Sequence, residues 1–167
     1  MPSLFDTLHR DVPNPLDNIE DILDANDWSF NRMGDNELTV NLTGKFCNYR
    51  IIFLWQADMS ALQLSVQYEM AIHPLNLSKA GKVLMTINEN TWMGHFEVCA
   101  DTCIPSYRYT TLLNPENKQS YDALESIVDI ALAQCETNYA AFSLLTDQNA
   151  ANDETLPLAL MQTQGAS

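Results

Sequence analysis

Three consecutive segments between Glu37 and Met70 constrain the fold more than any other feature of the 167-residue chain. "ELTVNLT" turns Leu38, Val40 and Leu42 to one side, and "ALQLSVQYEM" sets Leu62, Leu64, Val66, Tyr68 and Met70 against Gln63, Ser65, Gln67 and Glu69. Apolar residues at every second position describe a strand with one dry and one wet face. Between the two lies "NYRIIFLWQ", apolar on both sides except at Arg50, the pattern of a central strand with something packed on each face. "GDNE" and "TGK" supply turn residues between the early strands, and strands joined by short turns pair antiparallel. A looser alternation in "WSFNRM" adds a strand ahead of them.

Helical spacing brackets this block. In "NPLDNIEDILDAN", Asn14 caps the helix, Pro15 takes the first helical position and Leu16, Ile19, Ile22 and Leu23 form one stripe, ending near Asn26. "NLSKAGKVLMTINEN" has Leu77, Ala80, Leu84 and Ile87 in helical register beside Val83. "WMGHFEV" and "PSYRYTTLLN" follow as strands joined by "CADTCI". A long helix begins at a Ser120 cap and turns Leu124, Ile127, Val128, Ala131, Cys135 and Tyr139 inward. The expected class is α+β: an antiparallel sheet of about six strands with three helices, in the order α-β-β-β-β-α-β-β-α. Residues 1–13 read as a mobile N-terminal segment, 14–145 as the domain, and 146–167 as a polar linker ending in a short apolar patch at Leu156, Leu158, Leu160 and Met161. There is no internal repeat.

Charge excludes some partners. Twenty-two acidic and eight basic residues give a formal net charge of −14, and the basic residues form no stripe for phosphate backbones or anionic lipid. Nucleic acid and membrane surfaces are therefore not expected partners. The longest apolar run, "IIFLW", is far short of the ~20 residues that span a bilayer, and the amino terminus lacks a signal-peptide pattern, so a cytoplasmic location is expected. Cys47, Cys99, Cys103 and Cys135 then act as small apolar residues in a reducing compartment, not as a disulfide scaffold.

The segments "NPLDNIEDILDANDWSFNRMGDNELTVNLTGKFCNYRIIFLW", "NENTWMGHFEV" and "LESIVDIALAQCETNYAAF" resemble the YbjN-like family, labelled bacterial sensory transduction regulators, from about Asn14 to Phe142. The tryptophan spacing, the "WMGHF" block and the "YR" strand carry the likeness. That family's fold resembles the type III secretion chaperones. The resemblance implies an antiparallel sheet with helices, frequent dimerisation and binding of other polypeptides, and it carries over no catalytic residue.

Chemistry-bearing residues are sparse. His95, Cys99 and Cys103 in "MGHFEVCADTC" invite a metal, but on a strand His95 and Cys99 stand ~13 Å apart, too far for one ion. His95 thus reads as a polar sheet residue and the cysteines as packing; no cofactor is expected. His73 before Pro74 reads as a turn residue, and no glycine-rich phosphate loop is present. Arg50 and Arg108 sit in apolar strands of an acidic protein, and each needs a carboxylate partner within the chain or across a subunit interface. Arg50, Trp55, Trp92, His95 and Arg108 form the candidate protein-binding set, with the strands around Trp55 and Trp92 supplying an apolar strip flanked by polar groups. The expectation is a non-catalytic, homodimeric regulatory or chaperone-like module that binds another polypeptide. Its alternative is a small metal- or thiol-dependent enzyme using His95, Cys99 and Cys103.

Overall fold

The computed structural model describes residues 13–117 and 119–148. The expectations for residues 1–12 and for most of the C-terminal segment, including the apolar patch at 156–161, lie outside the described residues.

The elements follow in the expected order: α1 (Pro15–Ala25), β1 (Phe30–Met33), β2 (Glu37–Thr43), β3 (Asn48–Gln56), β4 (Ala61–Tyr68), α2 (Leu77–Glu89), β5 (His95–Val98), β6 (Pro105–Leu112) and α3 (Leu124–Ser143). Short 3-10 turns at Ala57–Met59 and Pro74–Asn76 and a helical turn at Gln119–Asp122 complete the described chain. The strands form one six-stranded sheet, ordered β1-β2-β3-β4-β6-β5, and every pair is antiparallel. The fold is α+β. No helix among the described residues is long and apolar enough to cross a membrane.

Alternation explains why the sheet has one dry face. The register aligns Val40, Ile51, Val66, Tyr107 and Phe96 across five strands, and Leu38, Phe53 and Leu64 form the next row. These side chains are almost wholly buried and share one core with the stripes of all three helices. Each helix carries the apolar spacing this requires: Leu16, Ile19 and Leu23 on α1, Ala80, Val83 and Ile87 on α2, and Leu124, Val128, Ala131, Cys135 and Phe142 on α3. Asn14 caps α1, accepting from the Leu16 N–H at 3.0 Å, with Pro15 at the first helical position.

Three readings need correction. β3 is not packed on both sides, because Tyr49, Ile51, Phe53 and Trp55 are buried whereas Arg50 and Leu54 are exposed and Ile52 is only half-buried. All three helices pack on one side of the sheet. The last long helix starts at Leu124, behind a separate turn and with no side-chain cap at Ala123, so Ser120 is not its cap. Tyr139 is half-buried and stacks on Phe46 at 5.2 Å between ring centroids, while Asn138 takes the buried position next to it. The Asn138 amide satisfies itself on the Gln134 carbonyl at 2.9 Å.

Side-chain amides fasten α2 to its surroundings. Asn76, buried at the start of α2, donates to the carbonyls of Leu145 and Asp147, both at 3.0 Å. Asn88 pairs with the Phe96 backbone in both directions, at 2.8 and 3.0 Å, as a neighbouring strand would.

Candidate functional site

The second sheet face carries most of the expected binding set. In register across it run Asn31, Thr39, Ile52, Ser65, Arg108 and His95, and beside them Asn41, Arg50, Gln67, Ser106 and Glu97. Arg50, His95 and Arg108 therefore share one surface, which no described helix covers. Small side chains dominate its middle: Thr39, Ser65 and Ser106 are buried among longer neighbours.

Glu97 organises the β5 end of this face. One carboxylate oxygen accepts from Nη2 of Arg108, and the other lies 3.5 Å from Nε2 of His95. The carboxylate expected for Arg108 is thus internal, two residues from His95 on the same strand. Nε of Arg108 is buried without an acceptor. Arg50 is exposed on a central strand and has no ion pair among the described residues. Ile52, Leu54 and Leu112 add apolar surface, with Leu112 78% exposed and Leu54 36% exposed.

The tryptophans part company. Trp55 belongs to the dry face and is 5% exposed, so in this fold it packs the core and offers a partner no surface. Trp92 is 99% exposed in the turn that enters β5. That turn is held where the Tyr107 hydroxyl donates to the Met93 carbonyl at 2.5 Å, and Gly94 takes φ +69° against the same tyrosine ring. Trp92 lies at the sheet's edge, off the row that carries Arg108 and His95. Trp28 is half-buried beside α1.

His95 and Cys99 flank β5, and Cys103 returns toward Cys99 in a tight turn, its N–H donating to the Cys99 carbonyl at 2.7 Å with φ +58°. The exposed Cys99 thiol is held below its ordinary range by a hydrogen bond from the Thr102 side chain, helped by the backbone N–H groups of Thr102 and Asp101. Burial pushes the thiols of Cys47 and Cys135 up, Cys135 strongly. Among the described residues, no three His, Cys, Asp or Glu side chains are grouped to hold a metal ion. His73 is structural: its Nδ1 accepts from the Leu75 N–H at 3.2 Å and caps the Pro74–Asn76 turn.

Residues 15–144 match the family model of YbjN, described as "Putative bacterial sensory transduction regulator". The chain belongs to the YbjN family. A solved structure titled "Crystal structure of YbjN, a putative transcription regulator from E. coli" is similar with a TM-score of 0.51 and 14% identity, over 77% of this chain and 94% of that chain. At that identity the likeness concerns the fold. The comparison with curated proteins found no match. Membership in the YbjN family carries a regulatory description in general terms and no catalytic residue.

Sequence reasoning missed Glu97, Ile52, Leu54 and Leu112. The first shares strand parity with His95, a signal present in "HFEV", but its contact with Arg108 needs the β5–β6 register. The other three look like core residues in one dimension, and only the one-sided helix layer leaves them outside.

Proposed function

We propose that this chain is a non-catalytic regulatory module that binds another polypeptide on the uncovered face of its sheet. The observation that carries the reading is a face that stays apolar at Ile52, Leu54 and Leu112 although no described helix covers it, with Arg50 exposed and unpaired among them. Apolar positions set in a polar surround, with an arginine nearby, are the composition of a recognition surface. The family's description supplies the setting, sensory transduction. Sheltering a client segment against the sheet, as the likeness to secretion chaperones implies, is the finer form of the same reading.

A second copy is one polypeptide that the face suits. Light scattering then gives about twice the 18.8 kDa chain mass at micromolar concentration. The E. coli relative's title names transcription. Applied to this chain, a net charge of −14 argues against direct phosphate contact, so a transcriptional effect would pass through a protein partner. Four free cysteines suit a reducing, cytoplasmic setting.

The test is co-purification of a tagged full-length chain from its native cells, in wild-type form and as the Leu54→Lys/Leu112→Lys variant. The reading predicts that a stoichiometric polypeptide is lost in the variant while the melting temperature moves little, because exposed substitutions cost about 0.5 kcal/mol each. Retention of the partner by a folded variant contradicts it. Turnover of a substrate that depends on Cys99 would favour the thiol-enzyme alternative instead.

A further inference from the structure

The helical side of the molecule holds a second feature, independent of the open sheet face. Between α1 and α3 lies a shallow apolar crevice, with about 40 Å³ of room within it, floored by Ile22, Trp28, Phe53 and Val128. Glu125 and Asp129 stand one helical turn apart on its α3 edge, both exposed. The recess next to it shares Trp28 and adds Asp24 and Asp27, also exposed. None of these four carboxylates has an ion pair among the described residues, and no described lysine or arginine lines either hollow. Arg32, the cation beside α1, is already engaged by Glu20 at 2.8 Å and Asp17 at 3.3 Å.

We propose that this crevice binds a cationic amphipathic segment of a partner polypeptide, an apolar side chain resting across Trp28 and Val128 with flanking lysine or arginine on Glu125, Asp129, Asp24 and Asp27. Charge complementarity around an apolar floor carries the assignment. The floor rewards any hydrocarbon that lies across it, and the rim selects among hydrocarbons by charge. A fatty acid or phospholipid brings an anionic head to an edge of unpaired carboxylates and is disfavoured. An acidic peptide is disfavoured for the same reason. Two carboxylates one turn apart on a helix present a fixed spacing that basic residues on a helical partner match.

The experiment titrates the full-length, isotope-labelled chain with a short synthetic helix of leucine and lysine at physiological ionic strength, followed by NMR, with a leucine–glutamate helix as control. The expected result is saturable shifts of the Trp28 indole and of the Ile22, Glu125 and Asp129 amides, with none from the control. Glu125→Lys/Asp129→Lys weakens binding by about tenfold or more, whereas Asp58→Lys/Glu89→Lys, an equal change of net charge at remote exposed positions, alters it by less than about twofold. Val128→Phe, which fills the floor, also weakens binding; because it alters a packed position, its melting curve is recorded alongside, and the two charge-reversal pairs decide the matter should it unfold.

Several results overturn the proposal. Shifts confined to the open sheet face around Arg50 and Leu54 would do so, as would equal weakening by both charge-reversal pairs, which reduces binding to net charge. Absence of shifts at physiological salt would contradict it as well. Peptide silence combined with a change of oligomeric mass in Glu125→Lys/Asp129→Lys would assign the crevice to a second copy of the chain.

Discussion

β3 sends Tyr49, Ile51, Phe53 and Trp55 to one side of the sheet and Arg50, Ile52, Leu54 and Gln56 to the other. Both series contain large apolar residues, and in the sequence only Arg50 and Gln56 set the second apart. On the covered side every apolar position is used by the fold: Ile51 lies between Val40 and Val66 with no exposure, under the helix layer. On the open side Ile52 lies between Thr39 and Ser65 and Leu54 between Glu37 and Gln63, and part of their hydrocarbon stays in contact with water. Apolarity on two faces of a strand therefore has two causes. One face is hydrophobic because the chain must fold. The other is hydrophobic beyond what folding needs, and the proposed partner surface rests on that excess.

The largest effect that separates the faces is thermodynamic. Ile51→Ala should cost about 2–5 kcal/mol in denaturant unfolding, since it removes packed methyl groups and leaves a cavity. Leu54→Ala, one turn of the pleat away, should cost about 0.5 kcal/mol or less. Equal costs would mean that the second face is covered in solution, and the comparison would fail.

A smaller effect uses the cysteines as reporters of position. Cys99 is exposed on the β5–β6 hairpin with its thiol pulled down by Thr102, whereas burial raises the thiols of Cys47 and Cys135. A lowered pKa puts the reactive thiolate in solution at lower pH, so alkylation of Cys99 should already proceed near neutral pH. Cys47 should follow only at higher pH and Cys135 only on unfolding, as peptide mass spectrometry of iodoacetamide-treated protein would report. Thr102→Ala should move the Cys99 profile upward in pH. Early modification of Cys135 would show that α3 opens from the sheet.

How much of this was legible in the sequence depends on the range of the interaction. β2 and β3 fall where alternation puts them, because pleating is local and turn residues bound both strands. The stripes on α1 and α2 were legible for the same reason. The sheet order was not, because β6 enters beside β4 only after the chain has passed through α2 and β5, and no local pattern encodes that crossover. The side of the sheet on which the helices settle is a property of the whole chain, which is why β3 read as doubly covered. The amides of Asn76 and Asn88 work on backbone that lies eight to seventy-one residues away, contacts that no local pattern announces. The candidate site was legible in part: Arg50, His95 and Arg108 do share a surface, but Glu97, which joins two of them, becomes visible only with the β5–β6 register.

The most direct measurement places a photo-crosslinking amino acid at Leu54 of the full-length chain in its native cells, with a second version at Met85 on α2, which is the more exposed of the two. The account predicts that irradiation joins Leu54 to a defined polypeptide, a second copy or another protein, and leaves Met85 unjoined to it. Crosslinks from Met85 alone, or a silent Leu54 in a folded chain, would contradict the claim that the open sheet face is where this protein acts.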